Sequence, residues 1–136
     1  MARLLINIDV EDLDAAAQFY CTALELRVGR RFGSRALELL GGEAPLYLLA
    51  RPAGSQPIPM AHTERTYQPH WTPVHLDFAV TELEAALARA QAAGATLEHD
   101  ISEQAYGRIA VLRDPFGHGF CLLEFSARGY DAITTG

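Results

Sequence analysis

The chain contains no lysine, so all 11 of its basic residues are arginine. This absence excludes chemistry that depends on a Schiff-base lysine or a P-loop lysine. The chain also lacks an apolar run of about 18 residues, so we expect no membrane-spanning segment. No G-x-S-x-G, G-x-G-x-x-G or H-E-x-x-H motif occurs. The hydrolases, dinucleotide-binding proteins and metalloproteases that carry these motifs are therefore not indicated.

Basic charge is scarce, and the net charge of −6 argues against a nucleic-acid partner because no basic stripe offsets the repulsion of phosphates. The two cysteines, Cys21 and Cys121, are predicted to be reduced thiols, because the acidic sequence shows no signal peptide. We therefore expect a cytoplasmic protein. Its 136 residues are enough for a single domain with its own hydrophobic core.

An internal repeat relates the two halves of the chain at an offset of 70 residues. Residues 6–16 align with residues 76–86, and both copies run from an alternating strand pattern into an acidic helix start. Thr81 and Glu84 have the spacing of a capping box for the second helix. The helices are predicted over about 12–24 and 82–93. The strand-like runs that follow them lie at about 26–32, 35–40, 45–50, 96–103, 107–113 and 119–125.

These patterns predict an α+β fold with two tandem βαβββ modules in one domain. The first strand of each copy is apolar at alternate positions, which predicts one side packed on a helix. The other side carries Asn7 and Asp77 at matched repeat positions, and we expect it to meet water or a ligand. The predicted segments are module one at about 2–50, a proline-rich connection at about 51–71, module two at about 72–126 and a tail at 127–136.

Several motifs point to one family. They are Val10-x-Asp12-Leu13-Asp14, Phe19-Tyr20-x-x-x-Leu24-x-Leu26, Asp114-Pro115-Phe116-Gly117-His118 and Cys121-Leu122-Leu123-Glu124. With these motifs the sequence resembles the vicinal oxygen chelate superfamily, which includes glyoxalase I, bleomycin-resistance proteins and extradiol dioxygenases. The resemblance implies that the modules form a curled mixed sheet around a cavity, with the helices outside, often in a homodimer. It does not specify the reaction, because one fold serves many functions.

Metal-using members of this superfamily place ligands on the first and fourth strands of each module. The resemblance assigns these positions to Leu5 and Tyr47 in module one and to His75 and Cys121 in module two. Leucine has no donor atom, tyrosine is a rare ligand, and neither fourth-strand position holds the usual glutamate. His75 is therefore the only retained ligand-type residue. We expect no metal and no other cofactor, with a divalent metal left open.

The implied cavity would be lined by Leu5, Asn7, Tyr47, Leu49, His75, Asp77, Cys121 and Leu123. His75 would act there as a polar anchor or base, or it would be a histidine without a role, hydrogen-bonded to Tyr47 or a backbone carbonyl. Cys121 would form a thiolate–imidazole pair with His75, join a soft Cys/His metal site, or simply pack as a small apolar group. Packing is the interpretation that we favour for Cys121.

Other polar and aromatic residues leave alternatives open. Arg27, Arg30, Arg31 and Arg35 form either an anion clamp or, as we favour, a charged sheet edge. The connection at 51–71 is a linker or a functional loop, and its Tyr67, His70 and Trp71 would cover a ligand or form a dimer contact. We expect His62, His99 and His118 to be solvated, and the tail after Phe125 to be frayed.

The sequence thus predicts a metal-free small-molecule-binding protein of the glyoxalase and bleomycin-resistance type, which binds or sequesters an apolar or aromatic compound. The alternative is a lyase, isomerase or dioxygenase-like enzyme with an altered active site, with His75 as base and Tyr47 or Cys121 beside it. A third hypothesis is a structural dimer without a ligand. The expected partners are a small molecule and a second copy of the chain, with neither nucleic acid nor a membrane involved.

Overall fold

A computed structural model describes all 136 residues. They divide into two compact units, Met1–Gln68 and Pro69–Gly136. The first unit contains β1 (Ile6–Val10), α1 (Leu13–Leu24), β2 (Arg27–Phe32), β3 (Ala36–Leu40) and β4 (Leu46–Ala50). The second contains β5 (Leu76–Ala79), α2 (Leu83–Ala93), β6 (Thr96–Gln104), β7 (Gly107–Arg113), β8 (Gly119–Phe125) and a short 3₁₀ helix, Gly129–Ile133.

The two units share one topology. Each contains a four-stranded open sheet, in the order β1-β4-β3-β2 in the first unit and β5-β8-β7-β6 in the second. In both sheets the first strand of the unit pairs in parallel with the last, and the other pairs are antiparallel. This arrangement confirms the predicted α+β fold and its two tandem βαβββ modules. Neither helix is long and apolar enough to cross a membrane.

The first unit buries one side of its sheet against α1, which contacts β3 and β4. Asp12 caps the helix, because its side chain accepts a hydrogen bond from the Ala15 N–H at 3.0 Å. Apolar residues recur along α1 at helical spacing and are buried: Leu13, Ala16, Ala17, Phe19, Tyr20 and Ala23. The strands contribute the leucines Leu37, Leu39, Leu46 and Leu48, which are almost fully buried. Truncating one of these leucines to alanine would cost about 2–5 kcal/mol.

The second unit packs α2 on β7 and β8 in the same way, through Leu83, Ala86 and Ala90. The helix begins one residue later than the capping box requires, so that prediction is wrong. Its N-cap residue is Glu82, whose side chain makes no capping hydrogen bond. The Leu83 N–H instead donates to the carboxylate of Glu124 on β8, at 2.8 Å. Gly94 ends the helix as predicted, with a φ of 120° that favours glycine.

The prediction that the tail after Phe125 is frayed is wrong. The ring of Tyr130 in the 3₁₀ helix lies 4.8 Å from the ring of Phe125 and 5.5 Å from that of Tyr106, measured between centroids. These ring contacts hold the segment against the end of the second sheet, because Phe125 ends β8 and Tyr106 precedes β7. Aromatic pairs at such distances contribute about 0.5–1.5 kcal/mol beyond the area that they bury.

Residues 51–68 form an ordered loop of the first unit. The Arg65 guanidinium donates to the Asp9 carboxylate on β1 at 2.7 Å, and its N–H donates to the Ser55 carbonyl at 2.7 Å. The Tyr67 hydroxyl donates to the Arg51 carbonyl at 2.6 Å. Side chains thus attach this long connection to the sheet at its base, so it is not a free linker.

Candidate functional site

The strand registers of the first unit place one row of polar side chains on the sheet face away from α1, here called the helix-free face. Asn7 on β1 pairs with Tyr47 on β4, and Tyr47 pairs with Glu38 on β3. Side chains of directly paired residues point to the same side of a sheet. Asn7, Tyr47 and Glu38 therefore form a row across three strands. The apolar rows on either side of it point toward α1.

Glu38 is the centre of this row, and it is only 4% exposed. Its carboxylate accepts hydrogen bonds from the Arg30 backbone N–H at 3.0 Å, the Arg30 Nε at 3.1 Å and the Arg30 Nη2 at 2.6 Å. The Tyr47 hydroxyl donates to it at 2.9 Å. Hydrogen bonds from the Arg30 side chain, with help from its backbone N–H, lower the pKa of Glu38 to about 2. Glu38 is thus a buried carboxylate that stays ionised at neutral pH.

A bulge in β2 makes room for this carboxylate. The β2–β3 register shifts between Val28 and Arg31, so the Arg30 N–H points to the Glu38 side chain instead of to the ladder. Gly29 lies inside the bulge, where an added Cβ would come within 2.6 Å of Glu38 Oε1 and 2.8 Å of Leu40 Cδ1. Glycine is therefore required here by space, because any larger residue would displace the carboxylate.

Arg30 and two aromatic rings complete a group that we call the array, which consists of Glu38, Arg30, Phe32 and Tyr47. Its side chain is 67% exposed although two of its nitrogens are held by Glu38. Its guanidinium carbon lies 5.6 Å from the centre of the Phe32 ring, which in turn lies 6.4 Å from the Tyr47 ring. The Tyr47 hydroxyl donates its proton to Glu38, and its oxygen accepts from Arg30 Nη2 at 3.4 Å, which leaves one further lone pair for a ligand. The face thus presents a fixed cation, a phenol oxygen and an aromatic surface.

The second unit carries a different group on its own helix-free face. His75 precedes β5 and shares a side with Asp77, which pairs with Cys121 on β8. His75 Nε2 lies 3.3 Å from Asp77 Oδ1. The imidazole nitrogen, the carboxylate oxygen and the Cys121 sulfur all lie within 4.8 Å of one another. Cys121 is 4% exposed, whereas the side chains of His75 and Asp77 are 41% and 39% exposed.

Cys121 does not act as a free thiolate in this environment. Burial, followed by the adjacent Asp77 carboxylate, raises the pKa of the Cys121 thiol to about 12. The thiol is therefore protonated at neutral pH unless a cation binds it. This disfavours the thiolate–imidazole pair and leaves packing or metal ligation as the two interpretations of Cys121.

One aromatic ring lies against this cluster. The Trp71 ring stands edge-on to the His75 ring, with centroids 5.5 Å apart, and a Cβ on Gly119 would overlap the Trp71 indole. Trp71 thus lies directly on β8. His118, which we expected to be solvated, is half-buried, and its ring lies 5.5 Å from that of His70. The prediction for His118 is wrong, whereas His62 and His99 are exposed as predicted.

The predicted ligand-binding residues fall into two sets, one on each unit. The pairing Asn7–Tyr47 matches the pairing Asp77–Cys121, so the two fourth-strand residues occupy equivalent positions in the repeat. Leu49 and Leu123 lie two residues further along the same strands, while Leu5 lies just before β1, where it is exposed. The structure brings Asn7 and Tyr47 together, and separately His75, Asp77 and Cys121.

Sequence reasoning missed Glu38. One signal was available, because Glu38 is the only charged residue in the strand Ala36-Leu37-Glu38-Leu39-Leu40. Its position in the alternation of the strand places its side chain on the side facing away from α1.

Two members of the arginine group at 27–35 pair with different acidic residues. Arg30 pairs with Glu38, and Arg31 pairs with Asp14 at 2.6 Å. All six residues of β2 are exposed at the edge of the sheet, which favours the charged-edge interpretation of this group.

Residues 5–123 match the family model described as a Glyoxalase-like domain. The chain belongs to this glyoxalase-like family. The match spans both βαβββ modules and confirms the vicinal oxygen chelate superfamily inferred from the motifs. No curated protein matches the chain significantly.

Solved structures of glyoxalase-like proteins share the fold. A glyoxalase/bleomycin resistance protein/dioxygenase family enzyme from Burkholderia phytofirmans PsJN is 24% identical, with a TM-score of 0.69 over 92% of this chain and 100% of that one. The fosfomycin resistance protein FosX from Listeria monocytogenes is 16% identical, with a TM-score of 0.70 over 94% and 96%. TioX from Micromonospora sp. ML1 is 18% identical, with a TM-score of 0.68 over 93% and 100%. At these identities the likeness shows the fold alone.

Glyoxalase-like proteins often hold a divalent ion between hard nitrogen and oxygen ligands, but this chain does not carry that ligand set. Leu5 has no donor atom, and the neutral hydroxyl of Tyr47, which donates to Glu38, is a rare kind of metal ligand. Cys121 offers sulfur, which suits softer ions. Only His75 keeps the expected chemistry. The first unit therefore provides no ligand pair for such an ion at the positions that the resemblance assigns.

Proposed function

We propose that this chain is a small-molecule-binding protein that recognises an apolar or aromatic compound through hydrogen bonds and ring contacts in its first unit, without a metal ion there. The observation that carries the proposal is the array built on Glu38. Four donors saturate a buried carboxylate and thereby fix Tyr47 and Arg30 in place. Groups held in this way lose little side-chain entropy when a ligand binds.

The chemistry of the array defines the ligand that it suits. Arg30 offers donors to a carboxylate or carbonyl oxygen, and the Tyr47 oxygen offers an acceptor. Phe32 and Tyr47 offer ring surfaces to an aromatic body. Leu5 and Leu49 would add apolar contact, and Asn7 would add a polar one. The matched residues of the second unit, His75, Asp77, Cys121 and Leu123, are proposed as a further ligand-binding face.

A thermal-shift screen of aromatic compounds, with and without a carboxylate or carbonyl group, tests this proposal on EDTA-treated protein. We expect a compound that raises the melting temperature in a dose-dependent way. For that compound, Tyr47→Phe should weaken binding about fivefold, since one hydrogen bond contributes about 1 kcal/mol. Tyr106→Phe, which changes a tyrosine of the second unit, is the matched control and should bind like wild type. A compound that binds only after a metal is restored would disprove the proposal.

The second candidate is an enzyme, and the contact between His75 Nε2 and Asp77 Oδ1 at 3.3 Å favours it. A carboxylate beside an imidazole fixes its tautomer and orientation, as a general base requires. Tyr47 and Cys121 are the other catalytic residues proposed from the sequence. Turnover of a small carbonyl compound whose pH–rate profile loses one limb in His75→Ala would support the enzyme. Turnover that is unchanged in this variant would reject His75 as the base.

A further inference from the structure

Arg27 is a charged residue of the first unit that the array does not include. It pairs in register with Leu40, which lies two residues after Glu38 on β3. Register partners and alternate residues of a strand share one side of a sheet, so the Arg27 side chain lies on the helix-free face. The residue is exposed, and none of the ion pairs of the chain includes it. Arg27 is therefore a positive charge without a partner on the face that carries the array.

The two carboxylates that the strands place on this face are each neutralised. Asp9 binds Arg65 at 2.7 Å, and Glu38 binds Arg30 at 2.6 Å. These two pairs cancel, and Arg27 leaves the face with a local excess of one positive charge, although the net charge of the chain is −6. A local field of this sign favours a ligand with a negative group.

Arg30 retains donors for such a group. Its Nε and Nη2 donate to Glu38, and Nη2 also reaches the Tyr47 oxygen, whereas Nη1 makes no hydrogen bond. Nη1 carries two N–H groups, and the exposure of the side chain lets a ligand oxygen approach them. Since Glu38 already fixes the guanidinium plane, Arg30 loses little side-chain entropy when a ligand binds.

We propose that the first unit selects aromatic compounds that carry a carboxylate, with Arg30 Nη1 donating to the carboxylate and Arg27 supplying a second positive charge. This inference rests on the small-molecule binding proposed above and specifies its ligand class. Phe32 follows the two arginines on the same side of β2, since it pairs with Ala36, and its ring centre lies 5.6 Å from the Arg30 guanidinium carbon. Charge and ring surface therefore adjoin, as the two ends of an aromatic acid require.

The other two arginines of the group at 27–35 do not belong to this site. Arg31 pairs in register with Leu37, on the side of the sheet that faces α1, and it binds Asp14 of that helix at 2.6 Å. Arg35 lies in the turn between β2 and β3, where it is exposed. The group therefore divides into two arginines on the helix-free face and two charges at the edge of the sheet, and Arg35 provides a matched control.

The experiment is a titration of the ¹⁵N-labelled, EDTA-treated full-length protein at pH 7 with 2-naphthoate and, separately, with the neutral 2-naphthamide, followed in ¹H–¹⁵N correlation spectra. We expect 2-naphthoate to bind at least about fivefold more tightly, because charge-assisted hydrogen bonds are about twice as strong as neutral ones. Its binding should shift the Gly29 N–H and Arg30 Nε–H signals. Its advantage should decrease as sodium chloride rises from about 50 to about 500 mM, since salt screens exposed charges.

Three variants test the assigned residues. Arg27→Gln should weaken binding of 2-naphthoate at least about threefold and leave that of 2-naphthamide unchanged, since it removes one exposed charge. Arg35→Gln makes the same change outside the face and should bind both probes like wild type. Replacing Arg30 alone would leave the buried Glu38 carboxylate without its partner, so Arg30→Gln is combined with Glu38→Gln. This double variant should reduce the preference for 2-naphthoate to less than about twofold.

Equal or tighter binding of 2-naphthamide by the wild-type chain would overturn the carboxylate preference, while small-molecule binding by the first unit would stand. Binding of neither probe would also overturn it, and the thermal-shift screen then decides the proposed function separately. A preference for 2-naphthoate that survives unchanged in both Arg27→Gln and the double variant would place the carboxylate elsewhere and reject this site.

Discussion

Glu38 shows how a charged side chain is kept in a sheet. A buried carboxylate is costly unless hydrogen bonds and an opposite charge compensate for the lost water. Arg30 supplies the charge and three donors, and Tyr47 supplies the fourth donor. The array is thus a unit, in which removal of one member leaves polar groups of the others without partners.

The low pKa of Glu38 leads to a prediction on acid stability. Its pKa falls from an ordinary 4.5 to about 2 on folding, so its contribution is complete above about pH 5 and is lost as the pH falls toward 2. We expect Glu38→Gln to lower the melting temperature at pH 7 and to make it less sensitive to pH between 5 and 2. Melting curves by circular dichroism across this range provide the measurement. An equal pH dependence in Glu38→Gln and wild type would contradict this role.

Gly29 gives a second prediction at the scale of one residue. Gly29→Ala places a methyl group where Glu38 Oε1 and Leu40 Cδ1 lie, so we expect a loss of about 1–3 kcal/mol in the free energy of unfolding. Urea denaturation measures this loss. Gly42→Ala is the control, because a Cβ there meets its nearest neighbours at 3.7 Å, an ordinary contact distance. Equal stabilities of the two variants would show that the bulge can adapt.

The N-terminus of helix α2 is stabilised by a residue that is distant in the sequence. Glu124 accepts the Leu83 N–H and also binds Arg108, which in turn reaches Glu84. Strand β8 thereby caps the helix that packs on it, and the pKa of Glu124 is lowered by these hydrogen bonds, that of the Leu83 N–H first. Helix capping and packing are therefore coupled in this unit.

This capping predicts different outcomes for two similar substitutions. Glu124→Gln should lower the melting temperature at pH 7, because the charged acceptor at the helix start is replaced by a neutral one. Glu82→Gln changes the N-cap residue itself, yet it should leave the melting temperature nearly unchanged, since the Glu82 side chain makes no capping bond. Thermal melts of the two variants in the same buffer decide the matter. If Glu82→Gln lowered the melting temperature more than Glu124→Gln, the helix would be capped by the side chain of Glu82 and not by that of Glu124.

Helices and strands could be predicted from the sequence because alternation, helical spacing and the repeat are local patterns. The array around Glu38 could not, because it depends on the bulge between Val28 and Arg31, which no alternation pattern specifies. The same limit applies to α2, whose first N–H finds its acceptor 41 residues away. His75 and Cys121 could be placed together in advance because the resemblance defines which strands are neighbours, whereas Asp77 could be assigned only to the same face.

At the scale of the whole molecule, the two units keep one topology and differ in the chemistry of their helix-free faces. The first carries a hydrogen-bonded carboxylate array, and the second carries an imidazole, a carboxylate and a thiol. The N-cap residues of the two helices, Asp12 and Glu82, occupy matched positions of the repeat. The contrast between the two units thus lies on their helix-free faces.

A homodimer is the predicted assembly. Large apolar side chains are exposed near the first strand of each unit, at Leu4, Leu5 and Val74, and such groups favour association. We expect sedimentation equilibrium to give a mass twice the 14.9 kDa of one chain. Leu4→Ser together with Leu5→Ser should shift the equilibrium toward the monomer. A single species of 14.9 kDa at all concentrations would contradict the dimer.

The parallel pairing of β1 with β4 affects the order of events during synthesis. All four strands of the first sheet have left the ribosome before β8, the only partner of β5 in the second sheet, has been made. Yet β1 is synthesised first, and its only partner, β4, is the last strand of the sheet to be synthesised. Strand β1 is therefore unpaired until β4 is available. Asn7 and Asp9 interrupt its apolar side chains during that wait, as Asp77 does on β5. Polar residues that interrupt an apolar strand lower the tendency of an exposed, unpaired segment to aggregate.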